Sequence, residues 1–314
     1  MKHFLFDHFF RLAVRHPASW IGLTASCLLA TVLLATLALW PGTDRPEPVP
    51  NRPQQGEAGA TPVEGDISAP EDVVPHPPAQ TPHQAGLAIV IDDLGENMQF
   101  VHALLDLRIP IAFAIWPHAR LTQETALAAH AAGCVILIHQ PMEALRASAK
   151  PGPNPLRVGM PRDHMEAIFR QSLERVPHAE GLNNHMGSRF TSQPEDVRLF
   201  CEIMADSDLF VLDSVTHPAS VLYEEAYVAG IPAVRRDIFL DDKPGKAAVL
   251  ARLREATRLA LRGKQVIAIG HPQAATLAAL REWNSTRDPG LRLLSLRDCL
   301  PPPQKITLQH NLQQ

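Results

Sequence analysis

The chain has 314 residues, of which 46% are hydrophobic, an ordinary content for a globular protein with a sizeable core. Its formal net charge is -4, and acidic and basic residues are mixed along the chain. The sequence contains no basic stripe of the kind that follows a phosphate backbone, so we exclude nucleic acid as a partner.

The first predicted element is a membrane anchor at residues 20–40. This stretch has 21 residues without a charge and a Trp at each end, which is the length of a membrane-spanning helix with interfacial aromatic residues. Lys2, Arg11 and Arg15 precede it, so the positive-inside rule predicts that residues 1–19 lie in the cytoplasm. A cleaved signal peptide is the alternative, although the apolar run is longer than the core of such a peptide. We therefore expect a single-pass protein of a bacterial inner membrane with a periplasmic domain.

Residues 41–85 are predicted to be a disordered linker. They include eleven prolines together with Glu, Gln, Gly and Ala, and show no apolar periodicity. Such a segment spaces a folded domain away from the membrane, and residues 301–314 read as a C-terminal tail.

Residues 86–300 alternate short apolar runs with amphipathic stretches, which predicts an α/β domain on a parallel sheet. The candidate strands are 87–91, 111–116, 134–138, 179–184, 209–213, 233–237, 265–270 and 291–296. Between them, Asp163 with Glu166 and Ser192 with Glu195 resemble capping boxes at helix starts. Seven or eight strands suit either a (β/α) barrel or a doubly wound open sheet, and periodicity does not choose between them.

Polar residues follow most of these strands at the point where each one ends. They are Asp92 and Asp93, His118, His139, His185, Asp213 and Ser214, Asp237, and His271. The carboxyl ends of parallel strands lie on one face of such a domain, so we expect these side chains to converge there. Imidazoles with a carboxylate bind Zn²⁺ or a similar divalent ion, which predicts a metal or acid–base site.

The adjacent carboxylates Asp92 and Asp93 are expected to have different roles. Successive residues of a strand point to opposite sides, so the two reach one site only if the backbone turns, as Gly95 permits. One carboxylate then binds the metal and the other serves as general base. The structural alternative is a helix cap and a turn residue before Asn97.

Several segments together resemble the divergent polysaccharide deacetylase family, a branch of the carbohydrate-esterase deacetylases. These are "IVIDDLG" (89–95), "ILIHQPME" (136–143), "GLNNHMGSRFT" (181–191), "FVLDS" (210–214), "RRDIFLDD" (235–242) and "IAIGHP" (267–272). The resemblance implies a distorted (β/α) barrel of about seven parallel strands. It also implies removal of acetyl groups from N-acetylated sugars by a metal-dependent reaction, with Zn²⁺ as the expected ion.

The resemblance also implies residue roles. Asp92 matches the general base, Asp93 and His139 match metal ligands, and His271 matches the general acid. The family's second metal histidine falls at Glu143, so we expect His185 to complete the metal site, with Glu143 as the alternative ligand or as a partner that holds His139. Residues expected to contact substrate or to hold the catalytic groups are Glu143, Asn184, Ser188, Asp213, Arg236 and Asp237. For Asp213, and for Arg236 with Asp237, a purely structural role at the end of a strand is the alternative.

The expected function is hydrolysis of N-acetylated envelope glycans, such as peptidoglycan fragments, in the periplasm. A catalytically inactive protein that keeps the fold to bind a glycan or an envelope partner is the second hypothesis. A metal-dependent phosphoesterase is the third, since Asp and His clusters at strand ends serve that chemistry too.

Overall fold

The computed structural model describes residues 84–302, in which strands and helices alternate. The predicted cytoplasmic segment and membrane anchor lie outside the described residues, as do residues 41–83 of the predicted linker and 303–314 of the predicted tail. Among the helices from residue 84 to residue 302, none is long and apolar enough to cross a membrane.

Eight strands and seven α-helices make up this part of the chain. The strands are β1 (Gly86–Leu94), β2 (Ile111–Ile115), β3 (Ile136–Met142), β4 (Gly181–Met186), β5 (Phe210–Asp213), β6 (Ala233–Arg235), β7 (Ile238–Phe239) and β8 (Gln265–Gly270). The helices are α1 (Met98–Leu105), α2 (Thr122–Ala131), α3 (Arg162–Arg175), α4 (Pro194–Met204), α5 (Leu222–Val228), α6 (Lys246–Leu261) and α7 (Ala274–Thr286). Short 3-10 helices cover Phe190–Ser192 and Leu296–Cys299.

The strands form one parallel sheet in the order β6-β5-β4-β3-β2-β1-β8-β7. Its two edge strands, β6 and β7, are separated in the chain only by Arg236 and Asp237. Three peptide steps span at most about 11 Å, so the sheet must curl until its edges approach each other. The parallel α/β prediction is confirmed. The curled sheet is that of a barrel with one open seam rather than a doubly wound open sheet.

The alternation of side chains divides the core into two layers. Leu87, Ile89 and Ile91 of β1 belong to the large cluster shared with the helices, whereas Ala88 and Val90 belong to a second cluster. The second cluster draws on strand residues and the C-terminal segment, with no member from an α-helix. It is therefore the interior of the barrel, which small residues such as Ala88 fill without forcing the strands apart.

The segment 291–296 is not a strand, contrary to the sequence-based expectation. It makes one isolated bridge, between Leu293 and Leu87, and then enters the second 3-10 helix. Leu294 and Leu296 are buried in the inner cluster, while Leu291 is buried in the outer one. The segment is apolar because it covers the end of the barrel. The eighth strand of the sheet is instead the two-residue β7, which is too short to produce a periodic hydrophobic pattern.

The two predicted capping boxes are also wrong. Helix α3 begins at Arg162, one residue before Asp163, and α4 begins at Pro194, with no side-chain cap on either. The hydroxyl of Ser192 instead donates to the carbonyl oxygen of Arg189. Pro194 suits the first position of a helix, because its fixed φ is already helical and it has no N–H to satisfy.

Candidate functional site

The inner face of the barrel becomes polar at the carboxyl ends of the strands. Side chains alternate along a strand, so the residue two positions after an inward apolar residue also faces inward. The pairs are Val90 and Asp92, Leu137 and His139, Leu212 and Ser214, Val234 and Arg236, and Ile269 and His271. One face of the barrel therefore brings carboxylate, imidazole, hydroxyl and guanidinium groups from five strands together.

Asp93 joins this face through a backbone turn. Its φ of 54° lies in the left-handed region, and the pairing of β1 with β2 is irregular between Ile91 and Leu94. Asp tolerates that conformation better than most residues. The turn that the sequence assigned to Gly95 thus already begins at Asp93, which directs two adjacent carboxylates to one site.

Three ligand atoms converge at Asp93. Its Oδ1 lies 2.9 Å from Nδ1 of His185 and 3.1 Å from Nε2 of His139, and these two nitrogens are 3.1 Å apart. The buried Oδ1 has no partner with hydrogen-bond geometry among the described residues, although both nitrogens are close to it. Donor atoms on a tetrahedral ion with bonds of about 2.1 Å lie about 3.4 Å apart. The cluster of Asp93, His139 and His185 therefore fits a divalent ion and leaves further positions on that ion open.

Charge coupling within this cluster is strong. Burial disfavours the charged form of Asp93, but the close imidazoles of His139 and His185 hold the pKa of Asp93 well below its usual range. Burial also lowers the pKa of His139, yet the carboxylates of Asp92 and Asp93 outweigh it and raise that pKa to about 9. The two carboxylates thus favour positive charge at this position, where a cation would bind.

Asp92 is a buried carboxylate of the site, with 3% of its surface exposed. Its Oδ2 lies 3.8 Å from Nε2 of His139, and its Oδ1 accepts a hydrogen bond from Asn183 at 2.8 Å. Burial raises the pKa of Asp92, and the charges of His139 and His271 offset only part of this effect. A buried carboxylate with a raised pKa beside a cation site is a suitable proton acceptor.

His271 follows β8 and is held by a carboxylate that sequence reasoning missed. Its Nδ1 is 2.9 Å from Oδ1 of Asp241, and its backbone N–H donates to Oδ2 of the same residue. Thr276 also donates to that carboxylate. Because Asp241 accepts from Nδ1, Nε2 is the nitrogen left for proton exchange.

The electrostatics of His271 agree with this arrangement. Burial lowers the pKa of His271, but the hydrogen bond to Asp241 and the charges of Asp92 and Asp241 raise it above its ordinary value. The available signal for Asp241 was that "IFLDD" (238–242) ends in two carboxylates, as "IVIDD" (89–93) does. It was missed because β7 was not recognised as a strand.

Glu143 lies apart from the cluster of Asp93, His139 and His185, which we call the metal-type cluster. Its Oε2 accepts from the backbone N–H of Val158 at 2.9 Å, and its Oε1 lies 3.2 Å from Arg189. Its backbone N–H donates to the carbonyl oxygen of Leu156. Glu143 therefore anchors the loop 144–160, and its carboxylate contacts Val158 and Arg189 rather than His139.

Replacing Glu143 with alanine is expected to loosen this loop and leave zinc affinity unchanged. The lost hydrogen bond to a charged acceptor is worth about 1.5–3 kcal/mol, so exchange of the Val158 amide hydrogen should speed up roughly 10-fold or more. Hydrogen exchange and calorimetric zinc titration measure the two effects. Glu166→Ala, which removes an exposed ion pair with Arg170, is the matched control. A large loss of zinc affinity in Glu143→Ala would instead make Glu143 a ligand.

Asn184 and Ser188 hold the backbone at the rim of the site. Oδ1 of Asn184 accepts from the amide of Ser214, and its Nδ2 donates to the carbonyl oxygen of Met186. The hydroxyl of Ser188 accepts from the amide of Leu145. These contacts tie β4 to the loops after β3 and β5.

Asp213 points away from the barrel interior, because it shares the parity of Val211 in the outer cluster. Its carboxylate accepts from the hydroxyl of Ser220 and the amide of Val215, which fits the structural alternative rather than a substrate contact. Asp237 is likewise structural in its contacts, since its Oδ2 accepts from the amide of Ile267 in β8.

Arg236 is the inward residue at the seam of the barrel. It donates through Nε and Nη2 to the carbonyl oxygens of Ser214 and Val215, at 2.7 and 2.8 Å. Val215 has a φ of 47°, an unfavourable value for a β-branched residue. Arg236 thus stabilises a strained turn between β5 and α5, next to the inward hydroxyl of Ser214.

Trp116 and Asn183 are two further residues of this face that the sequence did not single out. The indole ring centroid of Trp116 lies 5.2 Å from that of His185. A Cβ added at Gly152 would lie 2.4 Å from the same indole, so the loop 144–160 packs directly on it. Trp116 directly follows β2, but the sequence predicted it as the last residue of that strand because aromatic residues are common in strands. His118, which follows it, is not part of the metal-type cluster.

The curled parallel sheet and the cluster of Asp93, His139 and His185 define the class, an α/β barrel with a group of His and Asp side chains at the carboxyl ends of its strands that could hold a metal ion. Comparison with known proteins agrees with this class. The chain belongs to the divergent polysaccharide deacetylase family, whose model matches residues 89–300.

Two curated relatives show how far this similarity extends. The chain is 35% identical over 222 residues to the uncharacterized protein YibQ of Escherichia coli K12, covering 70% of this chain and 69% of the relative. It is 34% identical over 198 residues to an uncharacterized protein of Haemophilus influenzae, covering 63% of this chain and 70% of that protein. A crystal structure of an uncharacterized protein from Agrobacterium tumefaciens C58 matches with a TM-score of 0.60 at 22% identity. That match covers 66% of this chain and 85% of the other, and it shows a shared fold.

Proposed function

We propose that the protein is a metal-dependent deacetylase of N-acetylated envelope glycans, active on the periplasmic side of the inner membrane. The observation that carries the proposal is the arrangement of Asp92 and His271 around the cluster of Asp93, His139 and His185. Family membership supports the reaction class. The uncharged segment 20–40 and the basic residues before it support the location.

Asp93, His139 and His185 would hold the ion. A divalent cation bound there supplies electrophilic polarisation of the acetyl carbonyl and makes water a stronger nucleophile. Two imidazoles and one carboxylate with open positions suit Zn²⁺, which we propose as the natural ion.

The remaining residues move the protons. Asp92, buried and with a raised pKa, accepts the proton of the attacking water. His271, whose Nδ1 is bonded to Asp241, donates a proton from Nε2 to the departing amine. Burial raises the pKa of Asp92, whereas at His271 the hydrogen bond to Asp241 and the neighbouring carboxylate charges together outweigh burial and raise the pKa, which keeps the imidazole protonated to higher pH.

Acetate release by the purified full chain tests the proposal. After chelation, Zn²⁺, Co²⁺ or Mn²⁺ is restored and acetate is measured with N-acetylglucosamine oligomers and peptidoglycan fragments as substrates. We expect release that depends on the added metal and is lost in Asp92→Asn. An aryl phosphate serves as the control substrate and should not be hydrolysed. Zinc binding without acetate release from any glycan would favour the inactive glycan-binding alternative instead.

A further inference from the structure

Asn183 is a fully buried amide between the proposed general base and the proposed metal ligands. It lies on β4, in direct register with His139 of β3. Its Oδ1 is 2.8 Å from Nδ1 of His139, and its Nδ2 is 2.8 Å from Oδ1 of Asp92 and 3.1 Å from the hydroxyl of Ser214. One neutral side chain thus contacts both functional groups.

The chemistry of these partners determines the orientation of the amide. A carboxylate only accepts hydrogen bonds, so the group that faces Asp92 must be the NH₂ of Asn183. The oxygen then faces His139, whose Nδ1 must carry the proton. In the flipped amide, Oδ1 would lie against the Asp92 carboxylate, and two acceptors would be buried together without a proton.

The orientation of the Asn183 amide determines which nitrogen of His139 faces the metal-type cluster with a lone pair. With the proton on Nδ1, the neutral imidazole of His139 presents the lone pair of Nε2 toward Asp93 and His185. The same NH₂ group holds Asp92 with one oxygen bonded and the other directed toward Nε2 of His139, at 3.8 Å. A neutral amide does both without adding charge to the site.

We propose that Asn183 is a positioning residue that selects the metal-binding tautomer of His139 and, through the same amide, orients Asp92. The inference rests on the proposed function for the role of Asp92, but its claim about His139 needs only that the cluster binds a divalent ion. Partners that orient a metal-bound histidine typically contribute 10- to 100-fold to metal affinity.

Two variants separate the two roles. In Asn183→Leu, which is similar in size and apolar, both hydrogen bonds are lost. We expect the affinity for Zn²⁺, measured by calorimetric titration of the full chain, to fall about 10- to 100-fold. At a pH above the pKa of His139, where the metal-free imidazole is neutral, its ¹⁵N shifts should show Nδ1–H in the parent protein and lose that preference in Asn183→Leu. Asn183→Asp keeps an acceptor for His139 but removes the donor to Asp92. Zinc affinity should therefore stay equal or rise, while acetate release falls roughly 100-fold or more.

A merely structural role would affect affinity and turnover in parallel in both variants, and that result would overturn the proposal. Unchanged zinc affinity in Asn183→Leu would do the same. Asn284→Leu, which removes the two side-chain hydrogen bonds of an amide on α7, to Leu107 and from Arg287, is the matched control and should bind zinc normally. If Asn183→Leu does not fold, the smaller Asn183→Ser takes its place under the same criteria. Zinc binding that weakens in Asn183→Leu, with no acetate release from the parent protein, would refute the deacetylase function and leave the role toward His139 intact.

Discussion

Replacing Asp93 with alanine is expected to remove zinc binding and, with it, all metal-dependent acetate release. Asp93 supplies the one carboxylate oxygen that lies within 3.1 Å of both imidazole nitrogens. Without it, two neutral ligands remain, and the negative charge that neutralises the ion is lost. The affinity for Zn²⁺ should fall by more than about 100-fold, beyond the loss typical of an indirect partner.

Calorimetric titration with Zn²⁺ and the acetate assay measure these two effects. Asp163→Ala, which removes an exposed carboxylate near the start of α3, is the matched control and should change neither. If Asp93→Ala binds zinc as tightly as the parent protein, Asp93 is not a ligand and the proposed metal site is wrong.

The second large effect is expected at His271 and its partner Asp241. His271→Ala should lower kcat roughly 10²- to 10⁴-fold, the usual contribution of a positioned general acid. Asp241→Asn keeps the imidazole but loses the negative charge that raises its pKa. Because the acid acts in its protonated form, activity is lost as the pH rises through the pKa of His271. A lower pKa therefore moves the alkaline limb of the pH profile to lower pH.

The dependence of kcat/KM on pH measures this shift. Asp242→Asn is the matched control, because Asp242 is the neighbouring carboxylate and is bonded to the exposed Arg252. It should leave the alkaline limb where it is. An alkaline limb that does not move in Asp241→Asn would show that His271 is not the group that donates the proton.

Some of the candidate site was predictable because alternation along a strand is a local property. Val90 and Asp92, or Leu137 and His139, are two residues apart, so an inward apolar side chain implies an inward polar one. The shared face of Asp92, His139, His185 and His271 was predicted without a structure because each follows a predicted parallel strand, and the carboxyl ends of such strands lie together. Alternation also indicates that Asp213 faces outward, because it lies two residues after Val211 of the outer cluster.

Other parts depended on contacts between distant segments. Glu143 matches the family's metal histidine by position, yet its carboxylate bonds to Val158 and Arg189, which spacing alone does not reveal. Asn183 reads as an ordinary strand residue until its register beside His139 is known. Asp241 required recognition of β7, whose two residues produce no periodic signal.

The sequence by itself determined a parallel α/β domain and the strand ends that carry chemistry, because hydrophobic periodicity and parity are encoded between near neighbours. The tertiary structure alone decided that the sheet curls until β6 approaches β7 across an open seam, and that Leu294 and Leu296 cover the end of the barrel. It also decided which carboxylate serves which imidazole, since Asp93 pairs with His139 and His185 while Asp241 pairs with His271. Each of these pairings joins residues at least 30 positions apart, and their distance depends on the register of the whole sheet rather than on any local pattern.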